Sequence, residues 1–221
     1  MKTKLTLAAL AALTGLVAST NAQLIFSQYA EDGDIKGVEI WNTTASAITF
    51  SGSNILSFGV YSNGSSTVGS TFNISTGTVG AGDVLVFADG SNNSIWADSS
   101  ISFTEVNFNF NGDDALALSL DGSILDVIGV IGTDPGVSWL GGGVETRDQN
   151  IALIAGITTG DTGGFTDPSV RFETIAGKPL DSASGVNLSG FGVAPVPEPS
   201  AYALLAGLSA LGFVMLRRRG A

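Results

Sequence analysis

Ala115-Leu-Ala-Leu-Ser-Leu-Asp-Gly-Ser-Ile-Leu-Asp-Val-Ile-Gly129 reads as two strands with a turn between them. Leu116, Leu118 and Leu120 recur at period two, which places all three on one face of an extended chain. Asp121-Gly122 follows directly, a preferred pair for a two-residue type I′ turn because both central residues need positive φ. The returning arm is again apolar and β-branched. A β-hairpin over 115–129 is therefore predicted, and it sets the period in which the rest of the chain is read.

Working outward, Leu24–Tyr29, Gly37–Asn42, Ile55–Tyr61, Thr71–Ile74, Asp83–Ala88, Ile124–Ile131 and Ile151–Ala155 are short segments rich in β-branched or aromatic residues. Gly, Asn, Ser and Asp separate them, and outside the two termini no window holds a helical period of useful length. Short antiparallel strands at a spacing of about 8–12 residues predict an all-β fold, a β-sandwich over 23–180. The chain has no cysteine, so no disulfide framework supports it. About 170 residues between the termini are enough to bury a core without one. Histidine is absent as well, which removes Ser-His-Asp and Cys-His nucleophilic sites outright.

The two ends have a different character. Lys2 and Lys4 precede an apolar run, Leu5 to Val17, and small and polar residues close it at Thr20-Asn21-Ala22. That is the layout of a secretory signal peptide over 1–22, cut between Ala22 and Gln23; an uncleaved anchor is the other reading. At the far end stand Pro197-Glu198-Pro199, an uncharged apolar run from Ser200 to Leu216, and Arg217, Arg218 and Arg219. Two prolines bracketing a carboxylate cannot lie inside a helix. The 17 residues of 200–216 make a helix of about 25 Å, at the short end of what crosses a hydrocarbon core. The arginines halt translocation and mark that end as cytoplasmic. The stretch Asp181 to Pro195, rich in Gly and Ser, reads as a flexible linker between domain and membrane.

Pro-Glu-Pro, transmembrane helix and arginine cluster over 196–219 together resemble the PEP-CTERM sorting signal. The resemblance implies a membrane-embedded exosortase as partner, cleavage near the Pro-Glu-Pro, and release or transfer to the cell surface. An ordinary, unprocessed anchor is the plainer alternative. Both readings place the body of the chain outside the cytoplasm, with a transient inner-membrane anchor.

Charge limits the partners. Setting the two ends aside leaves four cations, Lys36, Arg147, Arg171 and Lys178, against nineteen carboxylates, a formal charge of −15. Four scattered cations cannot form a phosphate-binding patch, which excludes nucleic acid as a partner.

Several phrases of the body resemble the lamin-tail domain: Val38-Glu-Ile-Trp-Asn42, Ser57 to Gly64, Ala81 to Ala88, Asn109 to Leu118, Asp126 to Trp139 and Asp167 to Phe172. They occur in the family's order over roughly 24–176. The resemblance implies an immunoglobulin-like β-sandwich of the kind found on secreted and surface proteins. The chain departs from the family after Asp148, where Ile151-Ala-Leu-Ile-Ala155 carries no cation in place of an arginine-bearing strand.

Among the residue clusters, Asn111-Gly112-Asp113-Asp114 is the best candidate metal site. Asn111, Asp113 and Asp114 supply oxygen donors of the type Ca²⁺ takes six to eight of. The competing reading is a turn whose Asn and Asp side chains cap local amides. Glu31-Asp32-Gly33-Asp34 is a second acidic loop, without the ligand spacing of an EF-hand. Glu39, Asp113, Asp114 and Asp126 are the acids from which a carboxylate-only hydrolase would have to be built, and Asp126 is the one expected to be buried. Trp41 and Trp139 read as core, and Trp96 as an exposed aromatic available for stacking. No cofactor is expected apart from calcium at the Asn111–Asp114 cluster. The sequence thus points to an exported, non-enzymatic surface or matrix protein. Its expected role is adhesive or structural in an exopolysaccharide or biofilm layer, with polysaccharide or envelope protein as partner. A calcium-dependent binding module is the alternative, and a hydrolase a remoter one.

Overall fold

The computed structural model describes residues 24–91, 94–176 and 188–195. The signal-peptide cleavage at Ala22/Gln23, the helix over 200–216, the Pro197–Pro199 motif and Arg217–Arg219 lie outside those residues. Among the described residues no helix is long and apolar enough to cross a membrane.

The described strands are, in order, β1 (Leu24–Asp32), β2 (Ile35–Asn42), β3 (Ile48–Phe50), β4 (Leu56–Tyr61), β5 (Ser70–Ile74), β6 (Gly77–Val79) and β7 (Val84–Ala88). After them come β8 (Thr104–Glu105), β9 (Ala115–Leu120), β10 (Ser123–Ile128), β11 (Leu140–Gly141), β12 (Val144–Glu145), β13 (Gln149–Leu153) and β14 (Phe172–Ala176). One short helix, α1 (Ser94–Asp98), lies between β7 and β8.

The 115–129 stretch forms the predicted hairpin. Asp121 and Gly122 sit at φ 48° and 75°, the left-handed values the turn requires, and Leu120 pairs with Ser123. The returning strand carries a bulge at Leu125, so that Ile124 faces Ser119 while Asp126 faces Leu118. This hairpin forms half of a four-stranded antiparallel sheet, ordered β10-β9-β4-β5. A six-stranded sheet, β14-β13-β1-β2-β7-β8, packs against it. Its pairs are antiparallel except the parallel contact between β7 and β8. The architecture is an all-β sandwich.

Aromatic rings fill the space between the sheets. Phe58 of β4 packs on Phe87 of β7 with centroids 4.9 Å apart, and on Phe26 of β1 at 6.3 Å. The series continues through Phe108 and Phe110 to Tyr29, which stacks on Phe110 at 5.2 Å. Phe108 and Phe110 come from a stretch after β8 in which buried Val106, Phe108 and Phe110 alternate with exposed Asn107 and Asn109. Tilted and edge-on rings at these separations interact favourably beyond the area they bury.

Asp126 ties the sheets together. It is 1% exposed, and its carboxylate accepts the Phe26 amide of β1 at 2.9 Å and the amides of Val127 and Asp161. The Arg171 guanidinium meets the same carboxylate at 3.3 Å. Burial raises the Asp126 carboxyl to about 6, although Arg171 and the three amides pull the other way.

Strand β1 is buried along both faces, so the outer face of the six-stranded sheet is covered at its centre as well. Ala30, Ile35, Val86 and Ala88 form its floor, and Trp96, Leu188 and Phe191 close over it. This corrects two sequence expectations. Trp96 is 0% exposed rather than displayed: it stands on Gly37, where any Cβ would collide with the indole, and meets Phe191 edge-on at 5.0 Å. The described part of the expected linker, 188–195, is not free either. It packs as a strap, because Leu188 and Phe191 find an apolar floor on which they become 6% and 5% exposed.

Candidate functional site

The strap is held by a polar clamp built from β1, β2 and β13. Along β1 the pairing passes from Phe26↔Ile40 to Gln28↔Glu39, which leaves Ser27 as the extra residue of a bulge. The bulge places two successive polar side chains, Ser27 and Gln28, on the outer face. Ser27 Oγ donates to Glu39 Oε1 at 2.6 Å, and the Gly192 amide of the strap donates to Glu39 Oε2 at 2.6 Å. Gln28 Nε2 donates to Asn150 Oδ1 at 2.7 Å and to the Ser189 carbonyl at 2.8 Å, and Asn150 Nδ2 reaches that carbonyl at 3.2 Å.

All four side chains are 2% exposed or less. Burial raises the Glu39 carboxyl to about 7, opposed by the Ser27 hydroxyl and the Gly192 amide. Two turns, Leu188–Phe191 and Gly190–Val193, shape the strap, each closed by a backbone hydrogen bond. The arrangement grips a segment of chain. Its groups engage one another rather than an open cleft.

The acidic loops meet at the opposite end of the sheet. Glu31, Gly33, Asn111, Gly112, Asp113, Arg147 and Asp148 line an open depression of about 350 Å³. Of the three residues read as calcium ligands, Asn111 and Asp113 reach this depression and Asp114 does not. Asp114 is 5% exposed, and its oxygens accept the amides of Asn63 at 3.1 Å and Asn111 at 3.0 Å, which is the turn-capping geometry. Cations stand beside the remaining acids: Lys36 lies 3.4 Å from Glu31, and Arg147 3.4 Å from Asp148. Burial lifts the Glu31 carboxyl above its usual range. Asp113 is raised as well, by partial burial and by Asp114 and Asp134. Among the described residues no group of three or more Asp, Glu, His or Cys is placed to hold a metal ion.

The acids weighed for a hydrolase are not gathered into one place. Glu39 and Asp126 both attach to the β1 bulge but from opposite faces of the sheet, Glu39 under the strap and Asp126 between the sheets. Asp113 lies at the acidic end. Two carboxyls flanking a sugar must face each other across a cleft.

The clamp was missed in the sequence, although it left traces there. Ser27-Gln28 interrupts an apolar strand, Glu39 sits in the apolar Val38-Glu-Ile-Trp41, and Phe191 stands alone among glycines.

The PEP-CTERM protein-sorting motif matches residues 195–219. The match begins at Pro195, the last described residue of the strap, and takes in Pro197, Glu198, Pro199 and the three arginines. The motif marks the chain as an exported, exosortase-targeted surface protein with a membrane-anchored precursor. No curated protein and no solved structure matches the chain.

Proposed function

We propose that this chain is a non-enzymatic cell-surface or extracellular-matrix protein. Its sandwich, an immunoglobulin-like fold akin to lamin-tail domains, has an adhesive or structural role in an exopolysaccharide or biofilm layer. A signal peptide cut after Ala22 starts export, and the 200–216 helix then holds the precursor with its arginines in the cytoplasm. Exosortase cleaves near Pro197-Glu198-Pro199, so the helix is absent from the working protein. The observation that carries this reading is the sorting motif, which begins at Pro195, the last described residue of the strap. Two largely antiparallel sheets packed face to face support the lamin-tail-like assignment. An acidic body of −15 without histidine supports a binding or structural role over a catalytic one.

The test is the mass of the protein from each cell fraction, in cells with and without exosortase. The expected product in the surface or medium fraction runs from Gln23 to the Pro-Glu-Pro. A full-length product in the inner membrane of both strains overturns the sorting part. Retention of the purified sandwich on matrix polysaccharide or envelope protein is expected, and binding to neither overturns the adhesive part.

Calcium-dependent binding is a second reading, resting on Asn111 and Asp113 at the rim of the acidic depression.

A further inference from the structure

The chain length between the clamped strap and the membrane segment fixes how the precursor stands. Pro195 is half-buried on the sandwich, and the apolar run begins at Ser200. Five steps of chain cover at most about 18 Å, and usually less. The headgroup layer outside the hydrocarbon takes up roughly 5–7 Å of that. A domain of this size has a radius of gyration of about 15 Å, comparable with the whole tether. While the strap is clamped, the sandwich can neither lift off nor turn over.

The end where the strap leaves suits such a neighbour. Ser27, Ala152, Leu153, Val193, Ala194 and Pro195 surround it. Glu39 also lines this hollow and is the one acid there, buried and engaged by Ser27 and Gly192. Val193 stands out here with 66% of its surface exposed. The acidic depression lies toward the other end of β1, where Glu31 and Gly33 line it, roughly 13–20 Å from Ser27 along the strand. In this orientation the carboxylates of that depression point away from a membrane surface that would repel them.

We propose that, in the anchored precursor, the strap-exit end of the sandwich rests on the lipid headgroups in one fixed orientation, with the acidic end pointing outward. The proposal rests on the reading of 200–216 as the anchor. It makes the strap a docking element rather than a spacer. It also leaves Val196 alone between the packed chain and Pro197, so cleavage takes place at the foot of the domain.

The chain has no cysteine, so single cysteines can report position in the full-length precursor reconstituted in phosphatidylcholine–phosphatidylglycerol vesicles. Val193→Cys, Asp34→Cys and Leu208→Cys carry a fluorescent label, and the vesicles carry headgroup- or chain-attached quenchers. The expected result is headgroup quenching several-fold stronger at position 193 than at 34. Ten Gly/Ser residues inserted after Pro195 should bring the two close to equal. Equal quenching at 193 and 34 without the insertion overturns the proposal, provided that Leu208→Cys is quenched from within the bilayer. An unquenched Leu208→Cys overturns the anchoring reading itself, and the proposal with it. Quenching at 193 that appears only with exosortase co-reconstituted makes the protease surface the neighbour and overturns the lipid assignment.

Discussion

The centre of the six-stranded sheet is covered on both faces, and the two covers are held by different chemistry. The inner face meets the second sheet through interlocking rings, Phe26, Phe58, Phe87 and Phe108, with Asp126 and Arg171 at its edge. The outer face meets one helical turn, the segment after it and an eight-residue strap, through buried Trp96, Leu188 and Phe191 and half-buried Ile95, Ile101 and Phe103 on a small apolar floor. There the grip depends on Ser27, Gln28, Glu39 and Asn150. Apolar packing responds weakly to pH and to what lies at the end of the chain. A buried carboxyl that holds a strap responds to both. The comparison separates a permanent interior from a conditional one, and the conditional one adjoins the sorting motif.

The contrast breaks most visibly at Phe58. Phe58→Ala opens a cavity at the centre of the ring cluster and should cost about 4 kcal/mol, lowering the thermal midpoint by about 10 °C in calorimetry. Phe191→Ala removes a ring of similar size from the outer face. Its cost should be at most about 3 kcal/mol, because the strap can open while the sandwich stays folded. Hydrogen exchange checks this: amide protection at Gly192 and Val193 should collapse while that of β4 and β9 persists. If β4 and β9 lose protection equally, the two covers form a single cooperative unit and the distinction fails.

Glu39 sharpens the comparison through pH. Its carboxyl is raised from 4.5 to about 7, so the folded protein holds the proton more tightly than the unfolded chain does. The stability from this group is therefore full below about pH 4.5 and is lost as pH rises through 7. Denaturant titrations should show a loss of about 2 kcal/mol between about pH 5 and about pH 8. Asp126, raised from 3.8 to about 6, contributes with the same sign at lower pH. Glu39→Gln should abolish the part of the loss above pH 6 and leave the Asp126 part. Like the protonated carboxyl, the amide offers one acceptor for the Gly192 N–H and one donor toward the Ser27 hydroxyl, so the variant should lie close to wild type in stability at pH 5. An unchanged pH profile would place the titrating group elsewhere.

The smallest effect belongs to the acidic end. Asp113→Asn should change stability by no more than about 0.5 kcal/mol, since Asp113 is partly exposed and Asp114 makes the turn's hydrogen bonds. Melting with calcium against chelator should show no shift. A rise in midpoint that Asp113→Asn removes would favour the calcium-dependent module.

Much of the inner architecture was legible because it follows local rules. The 115–129 hairpin is written in a period of two and an Asp-Gly turn, and both survive folding because nothing in the tertiary structure opposes them. Most of the long strands lie within a few residues of their predicted limits. The short pairs β3–β6 and β11–β12 were not seen, since two or three residues carry no readable period. The bulges at Ser27 and Leu125 escaped for another reason. A bulge is a choice of register between two strands, and one strand's sequence does not contain its partner.

The same limit governs the candidate site. Trp96 in a polar loop and Phe191 among glycines are each unremarkable alone. They become a cluster only when Gly37 and the β7 surface provide a floor between them. By itself the sequence determined the β period, the 115–129 hairpin, the absence of histidine and cysteine, the acidic body and the sorting segment. Each of these is local or compositional. Only the tertiary structure decided that Asp114 caps a turn, that Glu39 holds the strap, and that the chain before Pro195 is clamped rather than free. Those are contacts between residues up to 161 positions apart, and a linear pattern does not encode which distant partner will desolvate which group.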